Sequence, residues 1–157
     1  MSSLSFENPV FCAYAVAAGL MLLKAASHSW LTVVRMMKAN AGFRLPEDTR
    51  KTLLNPNPSP EQLKPNDYVE RTRRLHQNEV ENVPLFLISA LLYVLTGPGF
   101  AVAATLFGIY VVTRFIHFAV VMSEGTHDAR ATAWTPGSLI IMWMSGSVAV
   151  HAARILM

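Results

Sequence analysis

The chain has 157 residues, of which 52% are hydrophobic and only 15% are charged. A soluble domain carries about 25% charged residues, so this composition indicates that lipid is the solvent, and it excludes collagen-like, coiled-coil and disordered proteins. The net charge is +3, and 15 of the 23 formal charges fall between Lys38 and Glu81. Because the basic residues adjoin apolar segments, we expect a membrane surface as the anionic partner, and no nucleic acid.

Four apolar segments have the length of about 17 to 25 residues that a membrane-spanning helix needs. They cover residues 10–37, 67–95, 100–123 and 131–155. The predicted fold is all-α, a single domain consisting of an antiparallel four-helix bundle integral to the membrane. The first segment is not expected to be a cleaved signal peptide, because no basic residue precedes Pro9 and Lys24 interrupts the apolar run.

The loop at residues 38–66 separates the first two segments. Four prolines between residues 56 and 65 predict that it stays extended and non-helical. Nine Lys and Arg residues lie between Arg35 and Arg74, against none in the turn at residues 96–99. The positive-inside rule therefore predicts that this loop and the connection near residues 124–130 face the cytosol. Cys12 is the only cysteine, so neither a disulfide framework nor a cysteine metal site is expected.

One helical stripe of the second segment is mostly polar. It consists of Arg71, Arg74, Asn78 and Glu81, and it ends at the apolar Leu85. In lipid such a stripe must face protein or a water-filled cavity. Further basic groups lie near the same rim, namely Arg35, Arg114, His117 and Arg130. Arg side chains that converge with one acid and one amide suit a ligand with carboxylates and an ammonium group.

Simpler interpretations of these residues remain open. Arg71, Arg73 and Arg74 fit membrane anchors that extend to lipid phosphates. Glu81 fits a structural ion pair with Lys24 as well as it fits a ligand contact. His117 fits a hydrogen-bonded packing residue.

One long motif adds a family resemblance. Residues 67–86 read DYVERTRRLHQNEVENVPLF, which resembles the signature of the membrane-associated proteins in eicosanoid and glutathione metabolism (MAPEG). Supporting fragments are Pro46-Glu47-Asp48, Gly97-Pro98, the run from Arg114 to His117, and Arg130. The resemblance covers most of the chain and is strongest to the membrane glutathione transferases of that family.

The resemblance implies a homotrimer that binds glutathione, without a metal, in a cytosol-facing pocket between neighbours. The glutathione-binding residues it implies are Arg35, Arg73, Arg74, His76, Asn78, Glu81, Arg114, His117 and Trp134, with Arg130 as the catalytic residue that stabilises the thiolate. The second substrate would be a hydrophobic electrophile or a lipid hydroperoxide arriving through membrane lipids. The implied membrane is that of the endoplasmic reticulum, the outer mitochondrial membrane or a bacterial inner membrane.

Departures from the family pattern bear on the reaction. Val121 replaces a Tyr of relatives, whereas Gln77, Ala131 and Trp134 replace the Arg, Ser and Tyr that are typical of prostaglandin E synthases. The sequence therefore favours a transferase with peroxidase activity over a glutathione-dependent prostaglandin E synthase or related eicosanoid synthase. A non-catalytic lipid-binding scaffold is the alternative from a different class.

Overall fold

The computed structural model describes residues 3–157 of the chain. Within these residues it contains no strand, so the all-α prediction is confirmed. All four long helices are apolar enough to cross a membrane. They are α1 (Pro9–Ala39), α2 (Asp67–Leu95), α3 (Phe100–Met122) and α4 (His127–Leu156).

Local signals in the sequence explain where α1 and α2 begin and end. The Asn8 side chain accepts a hydrogen bond from the Val10 amide at the start of α1, and the Asn66 side chain does the same for Val69 in α2. Such side chains satisfy amides that have no partner within the helix. At the end of α1, Asn40 adopts a left-handed conformation with φ of 46°, which Asn tolerates better than most residues.

Helix α4 begins at His127, about one turn before the predicted residue 131. The Thr126 hydroxyl accepts from the Ala129 amide, and Asp128 lies in the first turn, where a negative charge is favourable. The connection from α3 to α4 is therefore limited to residues 123–126. This shortening places Arg130 inside the first turn of the helix.

The loop at residues 40–66 is not wholly extended, so the prediction of a loop without helical structure is wrong in two places. It contains two 3-10 turns, Pro46–Thr49 and Pro60–Leu63, each with proline at its first position. The fixed φ of proline suits the first turn of a helix, which explains both. The buried side chains of Asn55 and Gln62 hydrogen-bond each other at 2.8 and 3.0 Å and hold the loop together.

Contacts between side chains show which helices of the bundle are neighbours. The Lys24–Glu79 ion pair joins α1 to α2, and the Tyr110 hydroxyl donates to the Asn82 carbonyl between α3 and α2. Helices α1 and α2 run antiparallel, since Lys24 contacts Glu79 and Arg35 contacts Tyr68. The short connections at residues 96–99 and 123–126 reverse the chain again between α2 and α3 and between α3 and α4. Helix α2 contacts all three others, whereas α1 and α4 do not touch within the described chain. The loop at residues 40–66 and the connection at residues 123–126 lie at one end, which we call the charged end.

The core lies at the centre of the bundle. The rings of Phe86 and Tyr110 stack with centroids 3.9 Å apart, and Phe107 packs edge-on against Phe86. A side chain at Gly137 of α4 would meet Thr113 at 3.3 Å, so the glycine permits close approach to α3, as small residues do in membrane bundles. The outward faces carry large exposed apolar side chains, as a lipid environment requires.

Candidate functional site

A cleft opens at the charged end between α2, α3 and the start of α4. It has a volume of about 530 Å³. We use "the cleft" for the space lined by Arg71, Arg74, Leu75, Asn78, His117, Val121, residues 124–127 and Arg130. Helix α2 supplies successive turns of its polar stripe, and the early start of α4 brings Arg130 to the opposite wall. Four predicted site residues therefore meet in one place, namely Arg74, Asn78, His117 and Arg130.

The cleft has an excess of positive charge. Arg71 is held by the α3–α4 connection, since it donates to the Val121 carbonyl at 3.3 Å and pairs with Glu124 at 2.9 Å. Within residues 3–157 no hydrogen-bond or ion-pair partner is found for Arg74 or Arg130, and both are exposed. Three guanidinium groups thus face one carboxylate. Unpaired guanidinium groups at the edge of a membrane protein are suited to bind an anionic ligand.

A buried ion cluster lies directly behind the cleft. Oε1 of Glu79 is 2.7 Å from Nζ of Lys24 and 2.8 Å from Nη2 of Arg114. The same Arg114 nitrogen donates to Oδ1 of Asn78, which lines the cleft. The side chains of Lys24, Glu79 and Arg114 are at most 4% exposed. Charges this deep in a bundle are stable only when paired, and this cluster pairs them across three helices.

Several polar atoms of this region have no hydrogen-bond partner among residues 3–157. They are Oε2 of Glu79, Nε of Arg114, Nδ1 of His117 and Nε2 of His28, all buried. His28 instead donates from Nδ1 to the Lys24 carbonyl at 2.6 Å. Unsatisfied polar atoms are unusual in protein interiors, so their concentration beside the cleft marks a polar region inside an otherwise apolar bundle.

Other predicted site residues lie outside the cleft. Arg35 is buried, donates to the Tyr68 carbonyl at 2.7 Å and stacks on the Tyr68 ring, which fastens the end of α1 to the start of α2. The Trp134 indole donates to Oδ1 of Asn82 at 3.2 Å. Arg114 is 1% exposed and lies behind the cleft rather than in its lining.

Arg73 and His76 face a second space, on the α1 side of α2. We call it the groove, and its lining consists of Ser29, Thr32, Arg44, Glu70, Arg73, Arg74, His76, Gln77 and Val80. Its volume is about 590 Å³. Glu70 pairs with both Arg44 and Arg73 there. Arg74 lines both spaces and is the only predicted site residue that does so.

The predicted position of Glu81 needs revision. Its side chain does not line the cleft, is exposed, and accepts a hydrogen bond from Gln77 at 3.1 Å. The acid that pairs with Lys24 is Glu79, which was not among the predicted residues, so the alternative of an ion pair between Lys24 and Glu81 is wrong. A signal was available, because Leu75, Glu79 and Phe86 share the apolar face of α2, whereas Glu81 does not.

The fold and the site together define an integral membrane protein with a basic cleft at the charged end of a four-helix bundle. Residues 6–150 match the model of the MAPEG family, so the chain belongs to that family and the sequence resemblance is confirmed. Microsomal glutathione S-transferase 1 of Bos taurus is 31% identical over 156 residues, covering 92% of this chain and 94% of that protein. The Homo sapiens counterpart is 30% identical, with 88% of each chain covered.

Prostaglandin E synthase of Homo sapiens is also similar, at 26% identity over 97% of this chain and 96% of that protein. The relatives therefore carry names of two different activities within one family. Both matches extend over most of this chain.

Proposed function

We propose that the protein is a membrane glutathione transferase, which joins the glutathione thiolate to hydrophobic electrophiles that arrive through the bilayer. The observation that carries this proposal is that Arg74 and Arg130, which have no ion-pair partner within residues 3–157, line one cleft together with Asn78. Glutathione offers two carboxylates and a thiol, which are the groups that such a cleft would bind. The relatives named microsomal glutathione S-transferase 1 supply the substrate class.

Arg130 is proposed to stabilise the thiolate. Lowering the pKa of a thiol from about 8.5 to about 6.5 requires about 2.7 kcal/mol. A guanidinium group about 4 Å from the sulfur, at an effective dielectric constant near 20, contributes about 4 kcal/mol. One arginine is therefore sufficient, and neither a metal nor a covalent enzyme intermediate is needed.

The thiolate can serve two reactions. With an electrophile, a carbon–sulfur bond forms and the leaving group departs with its electron pair. With a lipid hydroperoxide, sulfur attacks the terminal oxygen, the O–O bond breaks, and the alkoxide takes a proton. A second glutathione then converts the sulfenic acid to the disulfide and releases water. The protein contributes positioning and anion stabilisation in both cases.

We further propose assembly as a homotrimer, the state that the family resemblance implies, and the position of Glu81 favours contact with a second protomer. This residue lies about 15 Å along α2 from Arg71, at 1.5 Å per residue, in the region where the helix turns apolar. Its neighbours on the outer face, Val80, Leu85 and Ile88, are exposed. A carboxylate facing hydrocarbon costs about 3 kcal/mol. A neighbouring protomer that covers Glu81 would remove that cost.

The same assembly would unite the predicted site. The cleft and the groove lie on two sides of α2 and share Arg74. A protomer packed against the outer face of α2 would enclose a ligand that spans both. In that arrangement glutathione would be bound by residues of the cleft and the groove together with Arg35, Glu81 and Trp134. The charged end would face the cytosol, as the positive-inside rule predicts.

A titration tests the proposal. The purified protein in detergent is titrated with glutathione while the ultraviolet absorbance of the thiolate is followed. We expect a thiolate signal in the wild type, its loss in Arg130→Ala, and its retention in Arg154→Ala. Arg154 is a matched control, because it lies on the same helix near the opposite end. Loss of the signal in both variants, or its absence in the wild type, would contradict the proposal.

The second candidate function is a glutathione-dependent eicosanoid synthase, favoured by the similarity to prostaglandin E synthase. Conjugation of an aryl halide and turnover of prostaglandin H2 should be compared in the same preparation. We expect the first to dominate, because Gln77, Ala131 and Trp134 replace the Arg, Ser and Tyr that are typical of prostaglandin E synthases. A protein that binds fatty acids but not glutathione would instead be a lipid-binding scaffold.

A further inference from the structure

The Asn78 amide has two chemically different ends, and the buried ion cluster determines which one faces the cleft. A guanidinium group only donates hydrogen bonds, so the Asn78 atom that faces Arg114 has to be the oxygen. The nitrogen is then turned away from Arg114. Within residues 3–157 no protein atom accepts a hydrogen bond from Nδ2 of Asn78, although the residue lines the cleft.

Arg114 has little freedom to release Asn78. Its side chain is 1% exposed, and Nη2 is also held by Glu79, which is itself 0% exposed. Glu79 is fixed in turn by Lys24 from α1. The donor to Asn78 is therefore anchored by a carboxylate inside the bundle, whether or not a ligand occupies the cleft.

We propose that Glu79 and Arg114 are positioning residues, which lock the Asn78 amide so that its N–H donors point into the cleft to receive a carboxylate of the ligand. The proposal rests on the proposed function for the identity of the ligand, glutathione. It changes the role of Arg114, which acts through Asn78 instead of touching the ligand. It also gives a role to Glu79, a residue outside the predicted site.

The sharpest variant is Asn78→Asp, which keeps the shape of the side chain and still accepts from Arg114. A purely structural Asn78 would tolerate this change, since a carboxylate beside a buried guanidinium is favourable. The proposal expects an unchanged or raised Tm together with a Kd for glutathione that is weaker by about tenfold or more, because an acceptor replaces the donor. An unchanged Kd would overturn it.

A second pair of variants separates positioning from general destabilisation. In Arg114→Gln the new amide can donate or accept, so it no longer dictates the orientation of Asn78, and we expect a higher KM with little change in kcat. Arg114→Lys, which only donates, should restore most of the KM. Phe107→Ala, in the core of the same helix, should lower Tm and leave the KM unchanged. Equal KM changes in Arg114→Gln and Phe107→Ala would overturn the proposal.

The orientation of the Asn78 amide can be tested without glutathione, and therefore independently of the proposed function. Solvent exchange of side-chain amide protons can be followed by NMR in detergent. We expect the Nδ2 protons of Asn78 to exchange nearly as fast as those of exposed Asn57, and faster than those of Asn82, which donates to the Asn78 carbonyl at 2.7 Å. Protection of Asn78 comparable to Asn82 would overturn the inference. Fast exchange without glutathione binding would instead reject the proposed function alone.

Discussion

The acidic residues on two faces of α2 have different surroundings. The inner face, which includes Glu79, packs against α1 and α3, and the outer face, which includes Glu81, is exposed in the protomer. On the inner face Glu79 is fully buried and neutralised by Lys24 and Arg114 within the same chain. On the outer face Glu81 is exposed, and within residues 3–157 its only hydrogen-bond partner is the Gln77 amide. Two acids that lie two positions apart in the sequence thus have different roles. The buried one belongs to the folding of the protomer, whereas the exposed one is available to a ligand or to a second protomer.

The largest difference between the two faces should appear in stability. Glu79→Gln leaves two buried cations without a counter-charge, and breaking a buried pair in this way costs about 3 to 5 kcal/mol. Glu81→Gln removes only an exposed hydrogen bond, so we expect the free energy of unfolding of the protomer to change little. Reversible denaturation in detergent would measure both. Equal losses in the two variants would contradict the division between the faces.

Apolar packing should show the same contrast at a smaller scale. Phe86 is 0% exposed and stacks on Tyr110, whereas Ile88 is 60% exposed. In lipid, truncation of a buried side chain destabilises the protein through lost packing contacts and not through transfer from water. Phe86→Ala should therefore lower the free energy of unfolding by about 2 kcal/mol. Ile88→Ala is the control and should have a much smaller effect. The same denaturation assay applies, and a larger effect at Ile88 would place the outer face in an interface that contributes to folding.

The outer face should matter for binding. If Glu81 accepts from the glutathione ammonium group, Glu81→Gln should weaken the Kd for glutathione by about tenfold, which is about 1.4 kcal/mol. An analogue without the amino group should bind wild type and Glu81→Gln with similar Kd values. Calorimetric titration of both ligands measures this. A similar loss for both ligands would show that Glu81 does not bind the ammonium group.

Much of the fold could be predicted because hydropathy and helix capping are local properties. The α2 boundaries at Asp67 and Leu95 follow from an apolar run, an Asn cap and a Gly-Pro turn. The site was harder, because helical periodicity identifies a stripe but not the neighbour that it faces. Glu79 and Glu81 have the same chemistry and nearly the same depth. The apolar face of α2 includes Glu79 and not Glu81, but the packing of α2 against α1 is what brings that face to Lys24.

The α3–α4 connection was predicted near residues 124–130 and lies at residues 123–126, and it offers the smallest of the expected effects. Glu124 has a φ of 63°, which costs a non-glycine residue about 1 kcal/mol, and its pair with Arg71 returns at most about 1 kcal/mol because the carboxylate is largely exposed. We therefore expect Glu124→Gly to leave stability nearly unchanged, since relief of the backbone offsets the lost pair. Glu124→Ala retains the strained backbone without the pair, and it should be less stable than Glu124→Gly by about 1 kcal/mol in thermal unfolding. If the two variants were equally stable, the left-handed backbone at residue 124 would not limit the stability of this connection.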